Sequence, residues 1–197
     1  MRRLCSAWWM SLVVLAVPAF GDITAFTANG VSPFFADNPV SLGQVFTPTS
    51  QITVTALGYY NFIAESTPEE VGLYDSAGNL LASTLVAPTL GTDGYNFGAI
   101  TPLTLTAGDV YTVESLQPQG YGYSYTAPVL AAPGITLGET VYAYGPTLQY
   151  TTTNFSRVQA YYGPNFEFTS STPEPSFYGV LALGIGGLLA AKRALHP

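Results

Sequence analysis

The pentapeptide Asp75-Ser76-Ala77-Gly78-Asn79 constrains this chain more than any other stretch. An aspartate at its start offers a carboxylate to neighbouring backbone N–H groups, and Gly78 supplies the left-handed position of a type I turn closed by a bulge. On its two sides Val71 and Leu73, then Leu81, Ser83 and Leu85, recur with period two. Such a period sends alternate side chains to one face of an extended strand, so this stretch is predicted to be an antiparallel hairpin.

The same period runs from Asp22 to Thr169, and no sustained apolar stripe of helical period interrupts it. Gln44 and Phe46, then Ile52, Val54 and Ala56, flank Thr47-Pro48-Thr49-Ser50 and are expected to pair as a first hairpin. Gly91-Thr92-Asp93-Gly94 reads as a turn and Tyr95–Ile100 as a strand, and Leu103–Ala107 leads through Gly108-Asp109 into a strand from Val110 to Ser115. Beyond Gln117 a region rich in Gly, Pro and Tyr extends to Tyr162. Phe166 and Phe168 then alternate with Asn165, Glu167 and Thr169, as a closing strand would. The expected fold is all-β, a single antiparallel β-sandwich or jelly roll over residues 22–169.

Both ends of the chain differ from this middle. Met1-Arg2-Arg3 precedes an apolar run, Trp8–Val17, too short to span a bilayer, which is the pattern of a signal peptide over residues 1–21 read by the Sec export machinery. Cleavage is expected before Asp22, with Val17-Pro18-Ala19 as a competing site. At the other end Pro173-Glu174-Pro175 stands before the apolar run Phe177–Ala191, and Lys192 and Arg193 form a basic stop. That run is expected to be a single transmembrane helix, within a linker and sorting segment over residues 170–197. It falls short of the ~20 residues of a comfortable span and is rich in glycine, which suits transient retention in the membrane better than permanent anchoring. The basic residues would keep the C-terminus cytoplasmic and the β-domain outside.

Composition narrows the chemistry of the middle. Between Asp22 and Thr172 eleven carboxylates face Arg157 alone, a formal charge of −10. Such a surface repels nucleic acid, which is not expected as a partner. Cys5 and His196 are the only residues of their kinds and both lie outside the domain. Disulfides, thiol nucleophiles, imidazole bases and His-ligated metals are thereby removed from it, so no enzyme activity, metal or cofactor is expected.

Three groups of polar residues invite a functional reading. Glu65, Glu69 and Glu70 surround Pro68 and could supply a pair of carboxylates for glycoside hydrolysis. Adjacent strand residues point to opposite faces, so they are read as a solvated loop before Val71. Asp75, Asn79, Asp93 and Asp109 could hold a cation but are read as turn formers. Tyr121, Tyr123 and Tyr125 alternate, with Tyr142, Tyr144, Tyr161 and Tyr162 in the same region. A row of phenols is either part of an aromatic core or a stacking surface for the sugar rings of a polysaccharide.

The tail, with Pro173, Glu174 and Pro175, the run Phe177–Ala191 and the pair Lys192 and Arg193, resembles a PEP-CTERM sorting signal. That resemblance implies an exosortase as partner, with cleavage at or near the Pro-Glu-Pro motif and then release or attachment at the cell surface. Two basic residues are fewer than many such tails carry, and the trailing Ala-Leu-His-Pro departs from the pattern. Three blocks of the middle, Val54–Tyr60, Val71–Gly78 and Pro102–Tyr111, resemble a β-sandwich domain of undefined function found in exosortase-sorted proteins. Together these readings lead to the expectation of a non-enzymatic exported protein of the cell surface or exopolysaccharide matrix. The alternative is a carbohydrate-binding module of the envelope.

Overall fold

A computed structural model describes residues 21–28, 34–61, 66–89, 94–124, 129–153 and 163–170. The signal peptide up to Phe20, the motif Pro173-Glu174-Pro175, the apolar run Phe177–Ala191, Lys192, Arg193 and Tyr125 lie outside the described residues.

Strands alone make up the regular structure of the described residues. In chain order they are β1 (Ile23–Thr24), β2 (Phe26–Ala28), β3 (Phe34–Phe35), β4 (Val40–Pro48), β5 (Ile52–Asn61), β6 (Glu69–Asp75) and β7 (Leu80–Val86). They continue as β8 (Gly94–Leu105), β9 (Tyr111–Gln117), β10 (Gly122–Tyr123), β11 (Val129–Ala131), β12 (Ile135–Tyr144) and β13 (Pro164–Ser170). Two larger sheets, β1-β13-β5-β8 and β12-β4-β9-β6-β7, are joined by the small pairs β10-β3 and β11-β2. All recorded pairings are antiparallel. The fold is therefore all-β and sandwich-like.

Period two explains why the large sheets face each other. Phe46 and Val113 from one sheet and Val54, Leu57, Phe166 and Phe168 from the other are all fully buried in one cluster. The Phe46 and Phe166 rings meet with centroids 4.5 Å apart, and Phe26 stands edge-on to Phe166 at 5.5 Å. Each such side chain contributes about 1.5–3 kcal/mol by leaving water. Asn165, also buried, works differently. Its amide accepts from the Phe26 N–H at 3.0 Å and donates to the Phe26 carbonyl at 2.9 Å, so a side chain replaces a missing backbone ladder.

The Asp75–Asn79 hairpin forms as expected, β6 against β7. One Asp75 oxygen accepts from the Ala77 and Asn79 N–H groups at 2.9 Å each, and Gly78 takes a φ of 83°. Its second strand presents a different face, however. Leu81, Ser83 and Leu85 are exposed, whereas Ala82 packs on the core and Val86 is buried. A bulge between Leu73 and Tyr74 shifts the register, and such a shift exchanges the two faces of the partner strand.

The hairpin expected around Thr47–Ser50 does not form. β4 pairs with β12 and β9, whereas β5 pairs with β13 and β8 in the other sheet. Both strands carry core residues, and lying in opposite sheets they bring Phe46, Ile52 and Val54 into one buried cluster without pairing side by side. The corner is held by the Thr49 N–H on the Gly134 carbonyl at 2.9 Å. The chain crosses between sheets again from β8 to β9, where the Gly108 N–H bonds the Pro48 carbonyl at 2.8 Å. β8 itself is one strand that absorbs both Tyr95–Ile100 and Leu103–Leu105.

Candidate functional site

The half-exposed aromatic surface gathers where β12 ends beside β4. Antiparallel register sets Tyr142 opposite Leu42 and Tyr144 opposite Val40. Val40 and Leu42 belong with Ala36 to a second, smaller apolar cluster, against which Tyr123 and Tyr142 pack. The β3–β10 pair closes over this cluster, with Tyr123 opposite Phe34.

The loop Ala36–Pro39 is fixed by backbone hydrogen bonds at both ends. Ala36 donates to the Tyr121 carbonyl at 3.0 Å and accepts from Gly120 at 2.8 Å, and the Gly145 N–H donates to the Pro39 carbonyl at 3.0 Å. That arrangement leaves two hollows side by side. One, of about 110 Å³, has Val40 and Leu42 as its apolar floor, Tyr123 and Tyr142 as walls and the exposed Asp37 and Asn38 at its rim. The other, about 360 Å³ and more open, lies over Pro39, Gly145 and Pro146. Tyr144 and Asn38 border both. The Tyr144 ring is 68% exposed and stands edge-on to Tyr142, with centroids 5.7 Å apart. Chemically this is a shallow aromatic ridge with an amide, a carboxylate and phenol hydroxyls around it, suited to stacking and hydrogen bonding.

Of the tyrosines read from the sequence as a row, Tyr121 and Tyr123 are half-buried, and Tyr125 lies outside the described residues. Tyr123 contributes a wall of the smaller hollow, whereas Tyr121 holds the loop through its carbonyl. Tyr142 and Tyr144, read from the sequence only as further tyrosines of the same region, stand at the end of β12, where Tyr142 is half-buried and Tyr144 exposed. What sequence alone omits is the pairing of β12 with β4, which brings Asp37 and Asn38 alongside.

The carboxylates do not assemble into a facing pair. Glu69 is buried, and Gln117 donates to it at 2.5 Å. It shares the inner-facing row of Val71 and Leu73, so it is not in the solvated loop expected from the sequence. β6 starts at Glu69, and period two turns the side chain inward. Glu114 is buried on the opposite face of the same sheet, where it accepts from the Thr151 N–H at 3.0 Å. Burial pushes its carboxyl up to about 8, and the Thr151 bond offsets this only in part. Its other oxygen has no hydrogen-bond partner among the described residues. Glu70 is exposed, and Glu65 lies outside the described residues. The Asp75 carboxylate is committed to its own turn, with the Asn79 amide at 2.8 Å. No group of three or more His, Cys, Asp or Glu with metal-ligand spacing occurs among the described residues.

A family model, that of a domain of unknown function (DUF4082), matches residues 27–163, and the chain belongs to this family. The three sequence blocks that resemble an undefined β-sandwich domain all fall inside that match. No curated protein matches the chain.

Proposed function

We propose that this is a non-enzymatic exported protein, delivered by an exosortase-type system to the cell surface or the exopolysaccharide matrix. The observation that carries this reading is the order of three features at the C-terminus: Pro173-Glu174-Pro175, the apolar run Phe177–Ala191 and the basic pair Lys192 and Arg193. A short apolar segment followed at once by positive charge inserts and stops, leaving the motif on the outer side for processing. The signal peptide pattern over residues 1–21 supplies the entry into the same route. In this reading the two larger sheets are the layers of one sandwich, which makes the domain a compact cargo. Its lack of His and Cys supports a role other than catalysis.

The test is a chain truncated before Pro173. It is expected to lose sorting, with export through the inner membrane retained; localisation identical to that of the full chain would overturn the assignment. A second reading, that the domain is a carbohydrate-binding module, is favoured by the exposed Tyr144 ring between two hollows.

A further inference from the structure

We propose that the ridge formed by Tyr144, with Asn38 and Asp37 beside it, is a binding site for an uncharged polysaccharide, one sugar stacking on the Tyr144 ring and its neighbours entering the flanking hollows. This inference rests on the carbohydrate-binding reading and deepens it by fixing the site and the chemical class of ligand.

Several independent observations converge on this place. Tyr144 is the most exposed of the large hydrophobic side chains among the described residues, at 68%. An exposed aromatic face gains free energy when a ligand covers it. Its backbone is nevertheless held firmly: the register to Val40 fixes one side, and the Gln149 amide donates to its carbonyl at 3.2 Å on the other. The ring is therefore a positioned platform on a strand end. Positioned aromatic groups lose little entropy on binding.

Both hollows combine apolar and polar lining. They share Tyr144 and Asn38 as common borders, so a linear ligand lying along the ridge can reach both. Pyranose rings present a face of C–H bonds and an equator of hydroxyls, which matches an aromatic face bordered by an amide, a carboxylate and phenols. A purely apolar ligand would leave Asp37 and Asn38 unpaired, and hydroxyl-rich chains satisfy them.

Charge decides between classes of polysaccharide. Asp37 is exposed at the rim, and the domain carries eleven carboxylates against Arg157 alone. No Lys, and no Arg besides that one, lies between Asp22 and Thr172. Anionic chains such as uronate polymers would meet repulsion here without a compensating cation. A neutral chain meets none.

The experiment is affinity electrophoresis of the full chain in mild detergent, through native gels containing hydroxyethylcellulose, galactomannan, dextran or polygalacturonate. Retardation is expected in at least one of the three neutral gels and not in polygalacturonate. Tyr144→Ala is expected to weaken the retardation at least about tenfold, Tyr144→Trp to keep it, and Tyr121→Ala to leave it unchanged. Retention of binding by Tyr144→Ala would overturn this site while leaving the carbohydrate-binding reading intact. Retardation by polygalacturonate alone would overturn the ligand class. Absence of retardation in every gel, with the circular dichroism of a folded β-protein, would overturn the site and the carbohydrate-binding reading together.

Discussion

The two faces of the five-stranded sheet are buried by opposite means. On the inner face Phe46, Val71, Leu73 and Val113 meet the phenylalanines of the other sheet, an apolar contact with little polar content near its centre. On the outer face the segment from Gly145 to Thr153, without regular secondary structure, lies across the strands. It is held by polar bonds: Gln149 N–H to the Ser41 hydroxyl at 3.2 Å, Thr151 N–H to Glu114 at 3.0 Å, and the Thr151 hydroxyl to the Tyr142 carbonyl at 2.9 Å. Glycines make room for it, since a Cβ on Gly72 would lie 2.8 Å from the Leu148 side chain. Around Phe166 the inner face resists change by packing, which is insensitive to pH; Glu69, bonded to Gln117, lies in the same row beyond Val71. The outer face depends on a titratable group and should respond to pH.

The largest effect separating the two is expected at Phe166. Replacing it with alanine removes a fully buried ring that touches Phe26, Phe46 and Phe168. The cost should be about 3–5 kcal/mol, read as a lower denaturant midpoint. It should be the same at pH 5 and pH 8, because no ionisable side chain is among those contacts. A loss that varied with pH would mean that the two faces are coupled.

Glu114 gives the complementary behaviour. Its carboxyl is raised from 4.5 to about 8 in the fold, so the native state holds a proton that the unfolded chain releases. The stabilising contribution is complete below about 4.5 and is lost as pH rises through about 8. Stability should therefore fall by about 1.4 kcal/mol per pH unit within that window, on the order of 5 kcal/mol in all. Glu114→Gln keeps an oxygen for the Thr151 N–H and cannot titrate, so the part of the slope due to Glu114 should vanish whatever the absolute stability of the variant. Urea denaturation at pH 5, 6, 7 and 8 measures it. Parallel profiles for the two proteins would show that the outer face is not closed over a protonated acid. Tyr74 beside it is pushed up to about 12, chiefly by burial and then by Glu114 and Glu70, and stays neutral throughout.

This contrast also marks what the sequence can and cannot disclose. Local signals carry: Asp75 with Gly78 specifies its turn, Phe166 and Phe168 specify a buried strand, and the all-β class follows from period two. Pairing between distant strands does not carry, because alternation is the same whether a neighbouring strand lies beside or across the core. The Thr47–Ser50 segment is for that reason a corner between sheets instead of a hairpin. The exposed row Leu81, Ser83, Leu85 reflects a bulge, which period alone cannot locate. Glu69 and Glu114 look like surface residues in sequence, and only the contacts of Gln117 and Thr151 mark them as buried. At the candidate site Tyr144 was legible as one of many tyrosines, and its selection required the approach of Asp37 and Asn38 from a residue span over a hundred positions away.

The smallest expected effect sharpens the comparison where the outer segment ends on the β6–β7 turn. The Tyr150 hydroxyl donates to the Ser76 carbonyl at 3.3 Å, and its ring lies tilted against that of Tyr74 with centroids 5.7 Å apart. Asp75 organises that turn from an exposed position. The Asn79 side-chain amide, then the Asn79 N–H, holds its carboxyl below the usual range. A depressed carboxyl contributes stability above its unfolded value of 3.8, lost as pH falls through the lower folded value. Its signature thus lies at the acid end, opposite to that of Glu114. Asp75→Ala should lower Tm by about 1–2 °C at pH 6, and the difference from the parent should shrink towards pH 2. Because Tyr150 rests on this turn, the variant should also reduce the fall attributed to Glu114 if the turn clamps the outer segment, since a loosened segment readmits water and lowers the raised carboxyl. An unchanged alkaline limb would place the clamp at Thr151 and Gln149 alone, leaving the turn as a local device of the hairpin.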